Sequence, residues 1–331
     1  MKKLTVIAAA FAAATSALFA QTLNVTAPGY SGAKLFDSTP GFTISGMGAD
    51  SSGTVYYLES DGGFTASTKL YKRTAAGGYA TATQLFNYGA FTFGSFVTVQ
   101  AGKVYFGESS ANTIRSVNPD GTSPLLIGTV FHNYDLSFSS GTAFVSADPD
   151  TTGTSPQNKV STFNLATGAT QVVLNATPDF SGPIEFDAAG NLIYGVAKST
   201  IGGIYRYSAA SVATAIGTST PIVLTPPTGR VVANGGNQYL AYAGGTTLWQ
   251  DDYNFNTSTG TLRNYDLSSA SATTVASGSD SIGNLDYAAG ALYASVTNFG
   301  TNRSAVFAVV PEPSSAVLLA LGVLALRRRR R

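Results

Sequence analysis

A repeated strand–turn–strand unit is the feature that most constrains the fold of this chain. In each copy a glycine-containing turn leads into a strand rich in Val, Tyr, Leu and Ala, and the interval between copies is 39 to 52 residues. The second strands of six copies are predicted to open at Val55, Val104, Ala143, Leu192, Tyr239 and Ala291. Short strands repeating every 40 to 50 residues or so are typical of β-propellers. The sequence therefore predicts an all-β fold, a propeller of six four-stranded blades.

Further strands support this prediction. Third strands with alternating apolar and polar residues are predicted at Lys69–Arg73, Thr113–Val117, Lys159–Phe163, Gly203–Tyr207 and Thr261–Tyr265. A fourth strand follows a short turn, as at Gln171–Leu174. A β-solenoid or a β-sandwich is the competing fold, and its shorter repeats or Greek-key spacing fit these intervals less well.

The sixth unit runs out of chain before its fourth strand. After Ser304–Val309 the composition changes, so another segment has to complete that blade. Two segments precede the first unit without an obvious partner, Ala33–Phe36 and Leu23–Val25. Either one, pairing with the last unit, would close the ring and cover an exposed sheet edge.

Both ends of the chain carry features of export. Met1–Lys3 is a basic segment, Leu4–Ala14 is apolar, and Ser16–Ala20 supplies the small residues of a cleavage neighbourhood, which together predict a signal peptide over residues 1–20. Cleavage after Ala20 is the first choice and cleavage after Ala17 the alternative.

At the other end, Pro311, Glu312 and Pro313 precede an uncharged apolar run from Ala316 to Leu326. The chain then ends in five arginines: Arg327, Arg328, Arg329, Arg330 and Arg331. Apolar residues enter a membrane and terminal arginines stay on its cytoplasmic side, so we expect a short membrane helix that stops transfer. Eleven apolar residues are too few for an ordinary span of about 20, which favours a transient anchor.

This order of motif, apolar helix and basic end resembles the PEP-CTERM sorting signal of bacteria. The resemblance implies processing by an exosortase and a destination at the cell surface or in the extracellular matrix, commonly with exopolysaccharide. It divides the chain into a signal peptide (1–20), a propeller (21–309) and a sorting signal (310–331). A second resemblance lies at Phe186–Tyr194, whose Asp and Gly positions are similar to a turn of NHL and gluconolactonase-like six-bladed propellers. It concerns a turn, so no catalytic residues follow from it.

The propeller body excludes several functions. It contains 12 Lys and Arg against 17 Asp and Glu, and Lys69, Lys72 and Arg73 form its one basic group, so we predict no nucleic-acid partner. The chain has no cysteine, which excludes disulfides, thiolate nucleophiles and cysteine-bound metals. Its single histidine, His132, lies in a predicted loop without a nucleophile motif. No catalytic residue and no cofactor are predicted.

Three acidic segments of the chain are candidates for a binding site. Asp148–Gly153 begins like a calcium loop, but Lys159 stands where a bidentate Glu belongs. Asp179, Glu185 and Asp187 with Asn191 are candidates for a metal at the channel, which spacing alone does not place there.

The third segment contains the only tryptophan of the chain. In an exposed loop, Trp249, Asp251, Asp252 and Tyr253 would suit a glycan, because aromatic rings stack on sugars and carboxylates bind hydroxyls. The alternative is a Trp buried between blades.

The sequence thus favours a non-enzymatic surface or matrix propeller that binds exopolysaccharide or surface proteins. The other hypothesis is a metal-dependent, lactonase-like or glycan-cleaving enzyme. It requires carboxylates from several blades to meet near the axis of the ring.

Overall fold

The computed structural model describes residues 21–61, 67–89, 92–148, 158–176, 182–196, 202–233, 239–254, 259–278 and 280–312. These residues form six sheets, antiparallel except for one short added strand, and one helix. The predicted signal peptide and the predicted membrane helix lie outside the described residues.

Each sheet is one blade, numbered here along the chain. The N-terminal segment provides β1 (Asn24–Val25) and β2 (Tyr30–Asp37). Blade 1 contains β3 (Phe42–Ala49), β4 (Val55–Asp61), β5 (Lys69–Arg73) and β6 (Thr83–Asn87). Blade 2 contains β7 (Gly94–Gln100), β8 (Lys103–Glu108), β9 (Thr113–Val117) and β10 (Leu125–Thr129). Blade 3 contains β11 (Asn133–Ser139), β12 (Thr142–Ala147), β13 (Lys159–Phe163) and β14 (Thr170–Asn175).

The second half of the ring has additions. Blade 4 contains β15 (Ile184–Phe186), β16 (Leu192–Val196), β17 (Gly203–Tyr207) and β19 (Arg230–Ala233), with α1 (Ala209–Thr218) and β18 (Ile222–Val223) between the last two. Blade 5 contains β20 (Leu240–Gly244), β21 (Thr247–Asn254), β22 (Thr259–Asp266) and β23 (Ser271–Gly278). Blade 6 contains β24 (Ser281–Ala288), β25 (Ala291–Asn298) and β26 (Arg303–Pro311), completed by β2. The predicted six-bladed propeller is confirmed.

The core is distributed among the interfaces between blades. The innermost strands β3, β7, β11, β15, β20 and β24 contact one another in turn and return to β3. One apolar cluster lies between each neighbouring pair of blades. Between blades 6 and 1, for example, the rings of Phe36 and Tyr57 lie 5.0 Å apart. Each blade therefore buries its two faces against two neighbours, which is how a propeller obtains a core without stacking a second layer.

The N-terminal segment closes the ring, as predicted. β2 pairs antiparallel with β26, with Tyr30 opposite Pro311 and Asp37 opposite Ala305. β1 pairs antiparallel with β23, so the same segment also extends blade 5. Both candidate closing segments are thus used, one in each blade. The last strand reaches Pro311, two residues beyond the predicted domain boundary at 309.

The Asp–Gly turns between first and second strands have the predicted chemistry. Asp187 accepts hydrogen bonds from the backbone N–H groups of Ala189 (3.0 Å) and Asn191 (2.9 Å). Gly190 has φ +77°, a conformation that glycine adopts without a side-chain clash. Asp50 binds the N–H groups of Ser52 and Thr54 in the same way. These carboxylates hold the turns by mimicking backbone acceptors.

Blade 5 corrects one prediction. The sequence placed the opening of its second strand at Tyr239, but that residue precedes the innermost strand β20, and the second strand β21 opens at Thr247. The segment contains two Gly–Gly pairs, and the hairpin turn uses Gly244 and Gly245, which have φ +95° and +60°. The sequence prediction had used the earlier pair.

The helix in blade 4 was not predicted. Ser208 caps α1 by accepting a hydrogen bond from the Ser211 N–H, and Val212 and Ala215 are buried against blades 3 and 4. After the helix, β18 pairs parallel with β14 of blade 3. An alanine-rich insertion of this kind has no strand alternation, yet its one apolar side is enough to pack it on the rim of the ring.

The two faces of the ring differ in which strand ends they carry. All innermost strands begin at one face, here the front face, and end at the other, the back face. Strands alternate in direction within an antiparallel blade, so the third strand runs the same way as the innermost strand. β26 is a third strand, and the chain therefore leaves the ring at Glu312 on the back face.

We predict that deleting residues 21–36 lowers the thermal unfolding midpoint of the whole ring. The deletion removes β1 and most of β2, exposes the edge of β26 and opens the cluster around Phe36. Circular dichroism melting of the propeller body measures the effect. An unchanged midpoint would contradict closure by this segment.

Candidate functional site in the central channel

A cavity opens at the front face, where the innermost strands begin. It has a volume of about 380 Å³, and we name it the front cavity. Its aromatic lining consists of Phe93, His132, Tyr134 and Tyr239. Ser45, Ser95, Ser109, Asn133 and Asp148 add small polar side chains. The residues come from blades 1, 2 and 3 and from the segment before β20, so the cavity exists only in the closed ring.

Two tyrosines separate the front cavity from a second one deeper in the channel. Tyr134 and Tyr239 line both cavities, and their rings stack with centroids 6.2 Å apart. Burial, with a further contribution from Tyr239, raises the pKa of Tyr134 well above its usual value. Burial and the nearby carboxylate of Asp251 also raise the pKa of Tyr239. Both phenols therefore stay neutral and keep their O–H donors at physiological pH.

Hydrogen bonds fix the wall of the front cavity. Asn133 is 1% exposed; its side-chain oxygen accepts from Ser95 Oγ at 2.5 Å, and its Nδ2 donates to the carbonyl of Glu108 at 3.0 Å. His132 is exposed, has φ +45° and packs on Phe131 with ring centroids 4.1 Å apart. The backbone N–H of His132 donates to Asn112 Oδ1 at 2.8 Å. The wall is therefore preformed, and the imidazole stands at its rim.

The deeper cavity, the back cavity, has a volume of about 260 Å³ and carries three carboxyl groups. Asp135 of blade 3, Glu185 of blade 4 and Asp286 of blade 6 lie on innermost strands that line it. Burial raises the pKa of Asp135 and of Asp286 to about 6 in each case. Burial, followed by the like charges of Asp135 and Asp286, raises the pKa of Glu185 well above its usual value.

Backbone donors of the next blade occupy two of these carboxylates. Asp135 Oδ2 accepts from the Ile184 N–H at 2.8 Å, and Oδ1 accepts from its neighbour Leu136. Asp286 Oδ2 accepts from the Ala49 N–H at 2.5 Å, which ties blade 6 to blade 1. Within the described parts of the chain, no three His, Cys, Asp or Glu residues are arranged to hold a metal ion. The observed role of these two aspartates is to join neighbouring innermost strands.

The predicted ligand loop around Trp249 is a strand. Trp249, Asp251 and Asp252 lie on β21, the second strand of blade 5, and Tyr253 continues it opposite Gly260. Trp249 is 1% exposed and meets Tyr30 of the closing strand edge-on, with ring centroids 5.6 Å apart. The exposed loop is wrong for Trp249 and the alternative, a Trp buried between blades, is what the structure has, because the ring fills the interface between blades 5 and 6.

The acidic residues of that strand also have protein partners. Asp251 is fully buried, and its Oδ1 accepts from the Tyr239 N–H at 2.7 Å. This bond anchors the segment that carries Tyr239 into the channel. Asp252 forms an ion pair with Arg263 on the neighbouring strand β22 at 3.0 Å.

The structure separates the acidic residues that the sequence suggested as candidates for a metal at the channel. Glu185 faces the back cavity, whereas Asp187 holds the turn after β15 together with Asn191 and an ion pair to Arg206. Asp179 lies outside the described residues. Of the calcium-like segment, Asp148 lines the front cavity and Lys159 begins β13, while the residues between Asp148 and Asn158 are not described. The grouping of Glu185 with Asp187 is therefore wrong.

Sequence reasoning missed Tyr134, Asp135, Tyr239 and Asp286 as channel residues. One signal was present: Asn133 and Asp135 in unit 3 recur as Asn284 and Asp286 in unit 6. In both innermost strands the pairing register shifts at this point, between Asn133 and Asp135 and between Gly283 and Leu285. A bulge of this kind re-aims side chains. The shared Asn-x-Asp pattern thus marks where these strands carry carboxylates into the channel.

The raised carboxyl pKa values predict that the fold loses stability as pH rises from about 4 to above 6. Asp135 and Asp286 have pKa values of about 6 in the fold against 3.8 ordinarily, so ionisation above that range acts against the folded state. The lowered pKa values of Asp50 and Asp187 act in the opposite direction only below about pH 4. Thermal midpoints from pH 4.5 to 8 should therefore decline.

Glu185→Gln should raise the midpoint at pH 8 more than at pH 4.5, because burial disfavours the ionised carboxylate and the amide cannot ionise. Asp37→Asn, at an exposed ion pair with Lys34, is the control and should leave the pH slope unchanged. A wild-type midpoint that does not change with pH would contradict this assignment. So would Glu185→Gln and Asp37→Asn proteins whose midpoints depend on pH to the same extent.

For Trp249→Ala we predict a loss of about 3–5 kcal/mol in unfolding free energy, since a large side chain leaves a cavity between two blades. Chemical denaturation measures it. Leu126→Ala, at a side chain 49% exposed on β10, is the control and should change stability little. A small effect of Trp249→Ala would indicate that its ring is not part of the core.

Comparison with solved structures supports the fold alone. A gluconolactonase from Xanthomonas campestris superimposes with a TM-score of 0.61 at 13% identity, over 88% of this chain and 96% of that one. The pyranose dehydrogenase PQQ domain from Coprinopsis cinerea gives 0.62 at 10% identity, over 87% and 97%. A chain of a nidogen/laminin complex gives 0.54 at 13% identity, over 77% and 93%. No curated protein is significantly similar in sequence.

The C-terminal resemblance is confirmed by a family match. The PEP-CTERM protein-sorting motif matches residues 309–331, of which 309–312 are described. No helix in the described ranges is long and apolar enough to cross a membrane, and the predicted helix Ala316–Leu326 lies beyond them. The motif indicates export to the surface with a transient membrane anchor and processing by an exosortase. The chain is a six-bladed β-propeller, similar in shape to gluconolactonase and PQQ-dehydrogenase propellers, that carries a PEP-CTERM sorting motif.

Proposed function

We propose that this exported propeller is a binding protein of the cell surface or extracellular matrix, and that its front cavity holds a saccharide unit of an exopolysaccharide. The observation that carries the proposal is the front cavity itself, with aromatic walls, small polar side chains and an open front. Surface proteins, the other class of partner that the sequence favours, remain the alternative.

The lining suits a sugar for two reasons. Aromatic rings such as Phe93 and Tyr239 offer flat apolar faces to the C–H side of a pyranose, while Ser95, Ser109 and Asp148 offer groups that hydrogen-bond hydroxyls. The volume of about 380 Å³ falls within the range of about 300–1,000 Å³ that is usual for ligand pockets. The back cavity, at about 260 Å³, is below that range and lies behind the two tyrosines.

Charge narrows the saccharide class. The propeller body has 17 acidic against 12 basic residues, and Asp148 stands in the front cavity itself. A strongly anionic polysaccharide would be repelled by this surface. We therefore infer a neutral glycan as the ligand.

The position of the sorting motif supports the same function. The chain leaves the ring on the back face, opposite the front cavity. While the C-terminal tail holds the protein at the membrane, the front cavity points away from it. A matrix polymer outside the cell then reaches the cavity without passing the anchor.

We predict that Phe93→Ala and His132→Ala each weaken retention on the producer's neutral exopolysaccharide. Loss of one stacked ring corresponds to about 1 kcal/mol, or roughly a fivefold increase in dissociation constant. Affinity electrophoresis in gels that contain the polymer measures retention. Titration calorimetry with oligosaccharides purified from the polymer gives the dissociation constant. Leu126→Ala, on the outer strand of blade 2, is the matched surface control and should bind as the wild type does.

Unchanged retention in both cavity variants would remove the front cavity as the site. The enzymatic hypothesis is tested with the same protein by incubating it with sugar lactones and glycans, with and without a chelator. Turnover that the chelator abolishes would replace the binding proposal with a metal-dependent enzyme.

A further inference from the structure

The sorting motif begins inside the folded ring. Its first residue, Val309, lies on β26 between two neighbours, opposite Leu292 of β25 and Gly32 of β2. Val310 and Pro311 continue the pairing with β2, opposite Ser31 and Tyr30. The backbone N–H of Glu312 donates to the carbonyl of Gly29 at 2.8 Å. The motif and the N-terminal closing segment are therefore one structural unit.

This pairing becomes weaker along the motif. Val309 is fully buried and paired on both sides, whereas Val310 is 41% exposed and paired only with β2. Pro311 and Glu312 are exposed and attached to β2 and Gly29. Release of the last residues opens one edge of a ladder, but release of Val309 disrupts the core between blades 5 and 6.

A processing enzyme needs access to the backbone around the peptide bond that it cleaves. Peptide bonds in a paired strand become accessible only when the strand opens, and the rate then follows the population of the open form. Peptide bonds up to Val309 become accessible only when the core of the closing blade opens. The bond before Glu312 requires that β2 release the motif.

We propose that the closing blade sets the processing point: the cut falls on the C-terminal side of Glu312, and the mature chain keeps Pro311 and Glu312 docked along the N-terminal closing segment. The cut breaks the C–N bond of one peptide unit. Water, or an amine acceptor on a surface polymer, adds to the carbonyl carbon, and its proton goes to the nitrogen of the released segment.

Gly32 offers a way to perturb this arrangement without changing the motif. A Cβ at this position would lie 2.6 Å from Cγ2 of Val25, which is closer than two carbons can approach. Gly32→Val therefore forces Val25 of β1 or β2 itself to shift, which disturbs the closing segment at the residue that pairs with Val309. Ser31→Val is the matched control, since it adds the same branched side chain at the neighbouring, exposed position of the same strand.

The experiment is to express the full chain in a producer with its own exosortase and to determine the C-terminus of the mature protein by intact mass and peptide sequencing. The wild type and Ser31→Val should both end at Glu312 or later. Gly32→Val should yield additional ends upstream of Glu312. A wild-type end at Pro311 or earlier would overturn the proposal, and so would a Gly32→Val protein whose ends match the wild type.

Hydrogen exchange on the wild type gives a second readout should Gly32→Val fail to accumulate. The amide of Glu312 should be protected at a level similar to the amides of β2, because Gly29 accepts its hydrogen bond. Free exchange at Glu312 would show that the motif is not docked, and the proposal would then be withdrawn.

Discussion

Pairing of β2 with β26 is the interaction on which the rest of the ring depends. Each blade has its apolar surface buried by two neighbours, and the six interface clusters have no common centre. An open ring would therefore leave the faces of two blades in water as well as the edge of one strand. The same segment also adds β1 to blade 5 and places Tyr30 against Trp249, so closure involves the core as well as backbone hydrogen bonds.

Closure also determines the chemistry of the channel. Asp135 and Asp286 span the boundary between blades by accepting backbone N–H groups of the next innermost strand. Burying these carboxyls has an electrostatic cost, which appears as pKa values raised to about 6. Inter-blade bonding thus accounts for two of the three carboxyls that line the back cavity, and the front cavity above the two tyrosines is the ligand site that we propose.

Shape alone does not select a function for this propeller. The similar structures bear the names of a gluconolactonase, a pyranose dehydrogenase domain and a nidogen/laminin complex, all at 10–13% identity. The sorting motif starts in the closing blade on the back face, and the front cavity opens on the opposite face. The order of the strands places these two features on opposite faces of the ring.

The sequence by itself determined the repeat, the Asp–Gly turns and the sorting motif, because each depends on residues close together in the chain. It also indicated the closing segment, because the last unit lacks a fourth strand and the N-terminal strands have no partner nearby. The tertiary structure decided the rest. The choice of turn in blade 5, the packing of α1 and the burial of Trp249 depend on neighbours that are distant in sequence. The meeting of Tyr134 with Tyr239, about a hundred residues later, depends on the closed ring. Local patterns specify strands and turns, whereas a channel is made of side chains that only closure brings together.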